Sequence, residues 1–82
     1  MLKANVMKID EIYVPVKRRN RLDRNLIREI AESILEGGLR APILVRRDAG
    51  RYVLVEGAHR LEACKELGET TIPGHLVQAR KH

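Results

Sequence analysis

Gly57-Ala58-His59-Arg60 sits where an apolar, strand-like segment, Arg51 to Glu56, hands over to a helix-like one. These residue types at that joint suit phosphate. The first N–H groups of a helix lack internal partners, and the helix dipole adds partial positive charge there. A glycine at the entry lets a ligand approach the backbone closely. Arg grips a phosphate through a bidentate fork, and His donates one or two hydrogen bonds. The joint is therefore a candidate anion site. It lacks the glycine spacing of a dinucleotide fingerprint and the Lys-Ser/Thr of a phosphate loop. Local chemistry alone leaves alternatives open: a surface role for His59, and an ion pair of Arg60 with Glu56 or Glu62. Glu56 is the nearest carboxylate, either a candidate to orient a water or support a metal, or a solvated strand end.

The charge balance points the same way. Lys+Arg number 16 against 11 Asp+Glu, for a formal net charge of +5. The excess gathers in Lys17-Arg18-Arg19-Asn20-Arg21, with smaller runs at Arg46-Arg47 and Arg80-Lys81-His82. A run of this kind is either solvated surface or the footprint of a polyanion: nucleotide, nucleic acid or acidic protein. Tyr13 and Tyr52 are the only aromatics, so stacking on single-stranded bases is poorly supported. No helix-turn-helix pair is legible. The single cysteine, Cys64, excludes an internal disulfide framework and a cysteine-based zinc cluster, and suits a reducing compartment. No apolar run approaches the ~20 residues of a membrane span, and the first residues carry no signal-peptide core. These features predict a cytoplasmic protein with no membrane partner.

The elements that must position the joint follow from apolar spacing. Over 82 residues the expectation is a single domain, residues 1–82, with a thin aliphatic core. Val6 to Ile9 and Ile12 to Val16 read as short extended pieces, with Pro15 marking an edge or irregular strand. Leu26, Ile27, Ile30, Ala31, Ile34 and Leu35 repeat at the helical period, with Asp23 as N-cap, Gly37-Gly38 as stop, and Pro42 blocking continuation. Ile43 to Arg47 and Arg51 to Glu56 flank the turn Asp48-Ala49-Gly50 and read as a hairpin. A second helix runs from Gly57 to about Leu67, stopped by Gly68, with Leu61, Cys64 and Leu67 buried and Ala63 alongside. Ile72 to Ala79 forms a last strand. The order predicts a small α/β (α+β) domain, a mixed sheet with two main helices.

The segment from Ile30 to Val77 resembles the ParB/sulfiredoxin superfamily. The likeness rests on Ser33-Ile34, Gly38, Pro42-Ile43, Val45-Arg46, then Gly57, His59 and Arg60, then Ala63, Leu67-Gly68 and Ile72-Pro73, in the family's order. Arg19-x-x-Leu22-Asp23 resembles the basic stretch before the family's first helix. The resemblance implies the fold, and it implies a nucleotide whose phosphates lie on the helix start at Gly57, Ala58, His59 and Arg60. It further implies that Ser33 and the loop with Gly38, Leu39 and Pro42 line the pocket, with Arg19 reaching across. ParB proteins bind and hydrolyse CTP while clamping DNA; sulfiredoxins use ATP to repair an oxidised cysteine; others are serine kinases or have ATPase or nuclease activity. The cysteine that sulfiredoxins place before the His-Arg pair is Ala58 here, and an alanine cannot attack a phosphoryl group, so that repair chemistry is not expected. Cys64 falls on the apolar stripe and reads as a packing residue. The leading expectation is an ATP- or CTP-binding domain, leaning to a slow NTPase, with Mg²⁺ bridging the phosphates. One alternative is a nonspecific DNA-binding or nuclease module that uses Lys17, Arg18 and Arg21. Another is a catalytically silent regulatory domain, working through a homodimer or a protein partner.

Overall fold

Alternating apolar residues in the C-terminal half and a helical repeat in the N-terminal half produce one mixed sheet covered by helices. The computed structural model describes residues 4–37 and 41–78. The strands are β1 (Asn5–Lys8), β2 (Ile12–Tyr13), β3 (Ile43–Asp48), β4 (Arg51–Glu56) and β5 (Thr71–Val77). The helices are α1 (Val16–Arg19), α2 (Arg24–Leu35) and α3 (Ala58–Glu66), and a 3-10 turn, Ile9–Glu11, joins β1 to β2. The sheet order is β1-β5-β3-β4-β2. β3 pairs antiparallel with β4 and parallel with β5; β1 runs antiparallel to β5 and β2 parallel to β4.

The hairpin forms where expected. Ala49 and Gly50 take φ of 53° and 78°, the positive values that tight hairpin turns need at both central positions. A register shift between Leu44 and Val45, opposite the end of β4, leaves a bulge beside the entry to α3. Pro15 corrects the expectation of an extended Ile12 to Val16. Its ring fixes φ at −56° and it caps α1, so β2 stops at Tyr13 and the basic run coils instead. The amides of Arg18 and Arg19 both donate to the Pro15 carbonyl, at 3.0 and 3.2 Å.

The core is aliphatic. Met7, Ile9, Ile12, Ile43, Val45, Leu54 and Ile72 from the sheet side meet Leu61 and Cys64 from α3, with Ile34 of α2 packed against them. Cys64 is fully buried, as a packing cysteine should be. The buried stripe of α2 is narrower than its spacing suggests: Ile27 is wholly inside, whereas Leu26 is 39% and Leu35 72% exposed. No helix among the described residues is long and apolar enough to cross a membrane.

Candidate functional site

The strand-to-helix joint is shaped first by β3. Gly57 takes φ 108°, the left-handed region that L side chains avoid, and turns the chain from β4 into α3. A Cβ placed there would lie 2.7 Å from Cγ2 of Ile43. Backbone conformation and close packing on a core isoleucine therefore demand the glycine, whatever binds nearby. The consequence is chemical. A glycine has no side chain to cap the helix, and α3 begins with no side-chain cap. The amides of its first turn point outward.

An open cleft of about 670 Å³ lies in front of this turn. Glu56, Gly57, Ala58, His59 and Arg60 form one wall; Pro15, Lys17, Arg18 and Arg21 form the other; Leu26 and Ile30 supply apolar surface from α2. Four cationic side chains thus face one carboxylate across the described lining, with the positive end of α3 between them. Arg60 is held in place, its Nη1 donating to the Pro42 carbonyl at 3.3 Å. The local alternative, an ion pair with Glu62, is not what forms: Glu62 faces Lys65 at 3.8 Å. His59 is held more closely. The Asp23 amide donates to its Nε2 at 3.0 Å, so the accepting nitrogen carries no hydrogen and the ring's remaining donor is Nδ1.

The basic run divides at the cleft differently from the expectation. Lys17, Arg18 and Arg21, expected to serve nucleic acid, line the cleft; Arg19, expected to reach across it, is exposed and is not among the lining residues. The cause is the coil of α1. Arg21 lies three and four residues beyond Arg18 and Lys17, so the three share a side of the turn that Arg19 does not. The Arg21 amide donates to the Arg18 carbonyl at 3.2 Å, which carries the turn on past the helix. Ser33 is exposed on α2 and also off the lining. Pro42 enters only through its carbonyl to Arg60. Gly38 and Leu39 lie outside the described residues. Leu26, Ile30 and Pro15 were missed as site residues. The spacing of Leu26 and Ile30 put them on one side of α2, but spacing does not tell a buried side from one left open at a cleft. Among the described residues no group of three or more His, Cys, Asp or Glu could hold a metal ion.

The cleft can therefore do one kind of chemistry well: seat a polyanion at a helix start under a cationic wall, with an apolar patch beside it. Comparison with known proteins identifies the family and the fold. The family model of the ParB N-terminal domain matches residues 3–82. The probable chromosome-partitioning protein ParB of Campylobacter jejuni is 35% identical over 71 residues, 85% of this chain and 26% of its own length. Sulfiredoxin from Arabidopsis thaliana superposes with a TM-score of 0.82 at 31% identity, over 95% of this chain and 88% of that crystal chain. The C-terminally truncated ParB of Caulobacter crescentus, solved with CTP-gamma-S, gives 0.76 at 27% identity, over 95% of this chain and 46% of that one. The chain spans about a quarter of the Campylobacter protein and 51% of the curated Arabidopsis sulfiredoxin. Motif order, fold and family match coincide, and the chain belongs to the ParB N-terminal domain family.

Proposed function

We propose that the cleft binds a nucleoside triphosphate, ATP or CTP, with its phosphates on the first turn of α3. The observation that carries this reading is the meeting of an uncapped helix start with Lys17, Arg18, Arg21 and Arg60 around one cleft. A volume near 670 Å³ is within the usual range for small-ligand sites. The backbone of Gly57–Ala58 and the side chain of Arg60 would hold phosphate, and Nδ1 of His59 would add one hydrogen bond. Pro15, Leu26 and Ile30 offer aliphatic surface to the sugar or base; the described lining has no Phe, Tyr or Trp ring on which a base could stack. The likeness to a ParB that was solved with a CTP analogue supports the reading.

Mg²⁺ usually keeps several waters and binds through phosphates plus one or two carboxylates. Glu56, the one carboxylate on the described lining, suits that pattern and is where a hydrolytic water would be oriented. Slow hydrolysis is accordingly part of the proposal, and Glu56→Gln should lower phosphate release while leaving nucleotide affinity nearly unchanged. With Ala58 where sulfiredoxins carry their cysteine, no thiol-based repair is proposed.

A second reading has its own observation. The residues expected to grip DNA stand on the same cleft, so nucleotide and a nucleic-acid backbone would compete for one surface. Paired titrations of labelled nucleotide and labelled duplex, at low and moderate salt, separate the two. A nucleic-acid groove loses affinity steeply with salt, because each neutralised phosphate releases counterions. The expected result is nucleotide binding that outcompetes inorganic phosphate, with weak, sequence-independent DNA binding that nucleotide displaces. Tight DNA binding without measurable nucleotide affinity would reverse the ranking.

A further inference from the structure

The N-cap of α2 has an acceptor problem that α3 solves. In a capping box the side chain at the N-cap accepts from the helix, and a Glu or Gln three residues on accepts from the N-cap's own amide. In α2 the first half is present: Asp23 Oδ1 accepts from Asn25 and Leu26 at 2.9 and 3.4 Å. The residue that should complete the box is Leu26, which has no acceptor and turns to the cleft instead. The acceptor arrives from 36 residues away, as Nε2 of His59, 3.0 Å from the Asp23 amide. A box normally closed within one helix is closed here between two.

We propose that Asp23 is a positioning residue for the nucleotide site. Its carboxylate closes α2, and its main-chain N–H fixes the ring plane and tautomer of His59. With Nε2 occupied as acceptor, the proton resides on Nδ1, the donor left for an anion. His59 then contributes direction, and the charge of the ligand is read by Lys17, Arg18, Arg21 and Arg60. Leu26 at the box position also has a use, because an acceptor there would place a carboxylate or amide on the cleft lining. The assignment deepens the nucleotide reading and rests on it.

The test uses the whole chain and two substitutions at one position. Asp23→Ala removes the carboxylate cap and keeps the amide; Asp23→Pro removes both. Imidazole nitrogen shifts report the tautomer of His59, and calorimetric titration with ATP and with CTP reports affinity. The expected result is a ring protonated on Nδ1 in the parent and in Asp23→Ala, with affinities within about twofold. Asp23→Pro should mix the tautomers and weaken binding about fivefold, the usual net worth of one hydrogen bond. A second pair covers the case in which Asp23→Pro does not fold. Gln mimics the reach of Nε2, and Asn mimics the position of Nδ1. His59→Gln should therefore retain the parent's thermal stability, whereas His59→Asn should lower it. A parent ring protonated on Nε2 overturns the proposal, as does an Asp23→Pro protein that matches Asp23→Ala in ring state and affinity. So does a His59→Asn protein as stable as His59→Gln. A parent that binds neither nucleotide overturns the nucleotide reading itself, and the two failures are thereby told apart.

Discussion

At the start of α2 a carboxylate accepts from two amides; at the start of α3 there is a glycine and no side chain at all. The two helix starts lie close enough to share a hydrogen bond, and the two helices pack against each other, yet they face opposite electrostatic worlds. Asp23 places a carboxylate at the positive end of the α2 dipole and accepts from two of its outward donors, so that end is already occupied by a group of the chain itself. Gly57 leaves the α3 donors bare, and Lys17, Arg18 and Arg21 stand opposite them. The lesson lies in what is withheld: one end is finished by the chain itself, and the other keeps its donors open, as the proposed nucleotide site requires.

The sharpest way to break this contrast is to give α3 a side chain at its entry. Gly57→Ala meets two penalties: a left-handed backbone, about 1–2 kcal/mol for an L residue, and a Cβ 2.7 Å from Ile43 Cγ2, with overpacking typically costing about 1–3 kcal/mol. A loss of about 2–4 kcal/mol by urea denaturation is expected, a large fraction of the stability of so small a domain. A stability within 1 kcal/mol of the parent would mean that the turn can rearrange, and that the glycine is retained for the ligand after all. Next in size is the loss of charge from the open end. Arg60→Ala removes a bidentate phosphate contact of about 1.5–3 kcal/mol, so nucleotide affinity should fall roughly tenfold or more. Its hydrogen bond to Pro42 is a single neutral-acceptor contact, so the fold should survive. Unchanged affinity in a folded Arg60→Ala protein would remove the phosphate assignment.

Most of the contrast was legible in the residues, and the parts that were not share a cause. The Asp23 cap, the hairpin, the strand-to-helix joint and the buried Cys64 all follow from local chemistry and period, and all appear in the structure. The reason for Gly57 was half legible. Its place at the turn could be read, but its contact with Ile43 spans two elements. Which residues of the basic run line the wall opposite was not legible, because Val16–Arg19 has no apolar repeat to announce a helix. Whether such a run coils or extends decides which arginines point into the cleft. The Asp23–His59 bond was not legible at all. A backbone donor has no sequence signature, and its acceptor lies on another helix.

The closed end should be the milder one to damage. Asp23→Ala leaves the Asn25 and Leu26 amides to water at an exposed helix start, a loss of about 1 kcal/mol. Thermal melting should register it as a shift of several degrees, with α3 and the cleft intact. A loss above about 3 kcal/mol would mean that Asp23 carries the contact between the two helices rather than capping one of them.

The smallest effect is expected from the contact that looks strongest on paper. Arg24 and Glu66 form an ion pair at 3.0 Å between the first residue of α2 and the last of α3. Their side chains are 70% and 47% exposed, so water screens the attraction and the pair gains little over two solvated ions. Each partner also sits at the wrong end of its own helix: a cation at the positive start of α2, an anion at the negative end of α3. Those two dipole terms oppose the pair. Arg24→Ala should therefore change stability by less than about 0.5 kcal/mol in either direction, and raising the salt concentration should move parent and variant together. The double substitution Arg24→Ala/Glu66→Ala should be no less stable than either single one, since it relieves both dipole conflicts at once. A coupling above about 1 kcal/mol in that cycle would show that the pair, and not the Asp23–His59 bond with the packing of Ile27, sets how the closed helix start lies against the open one.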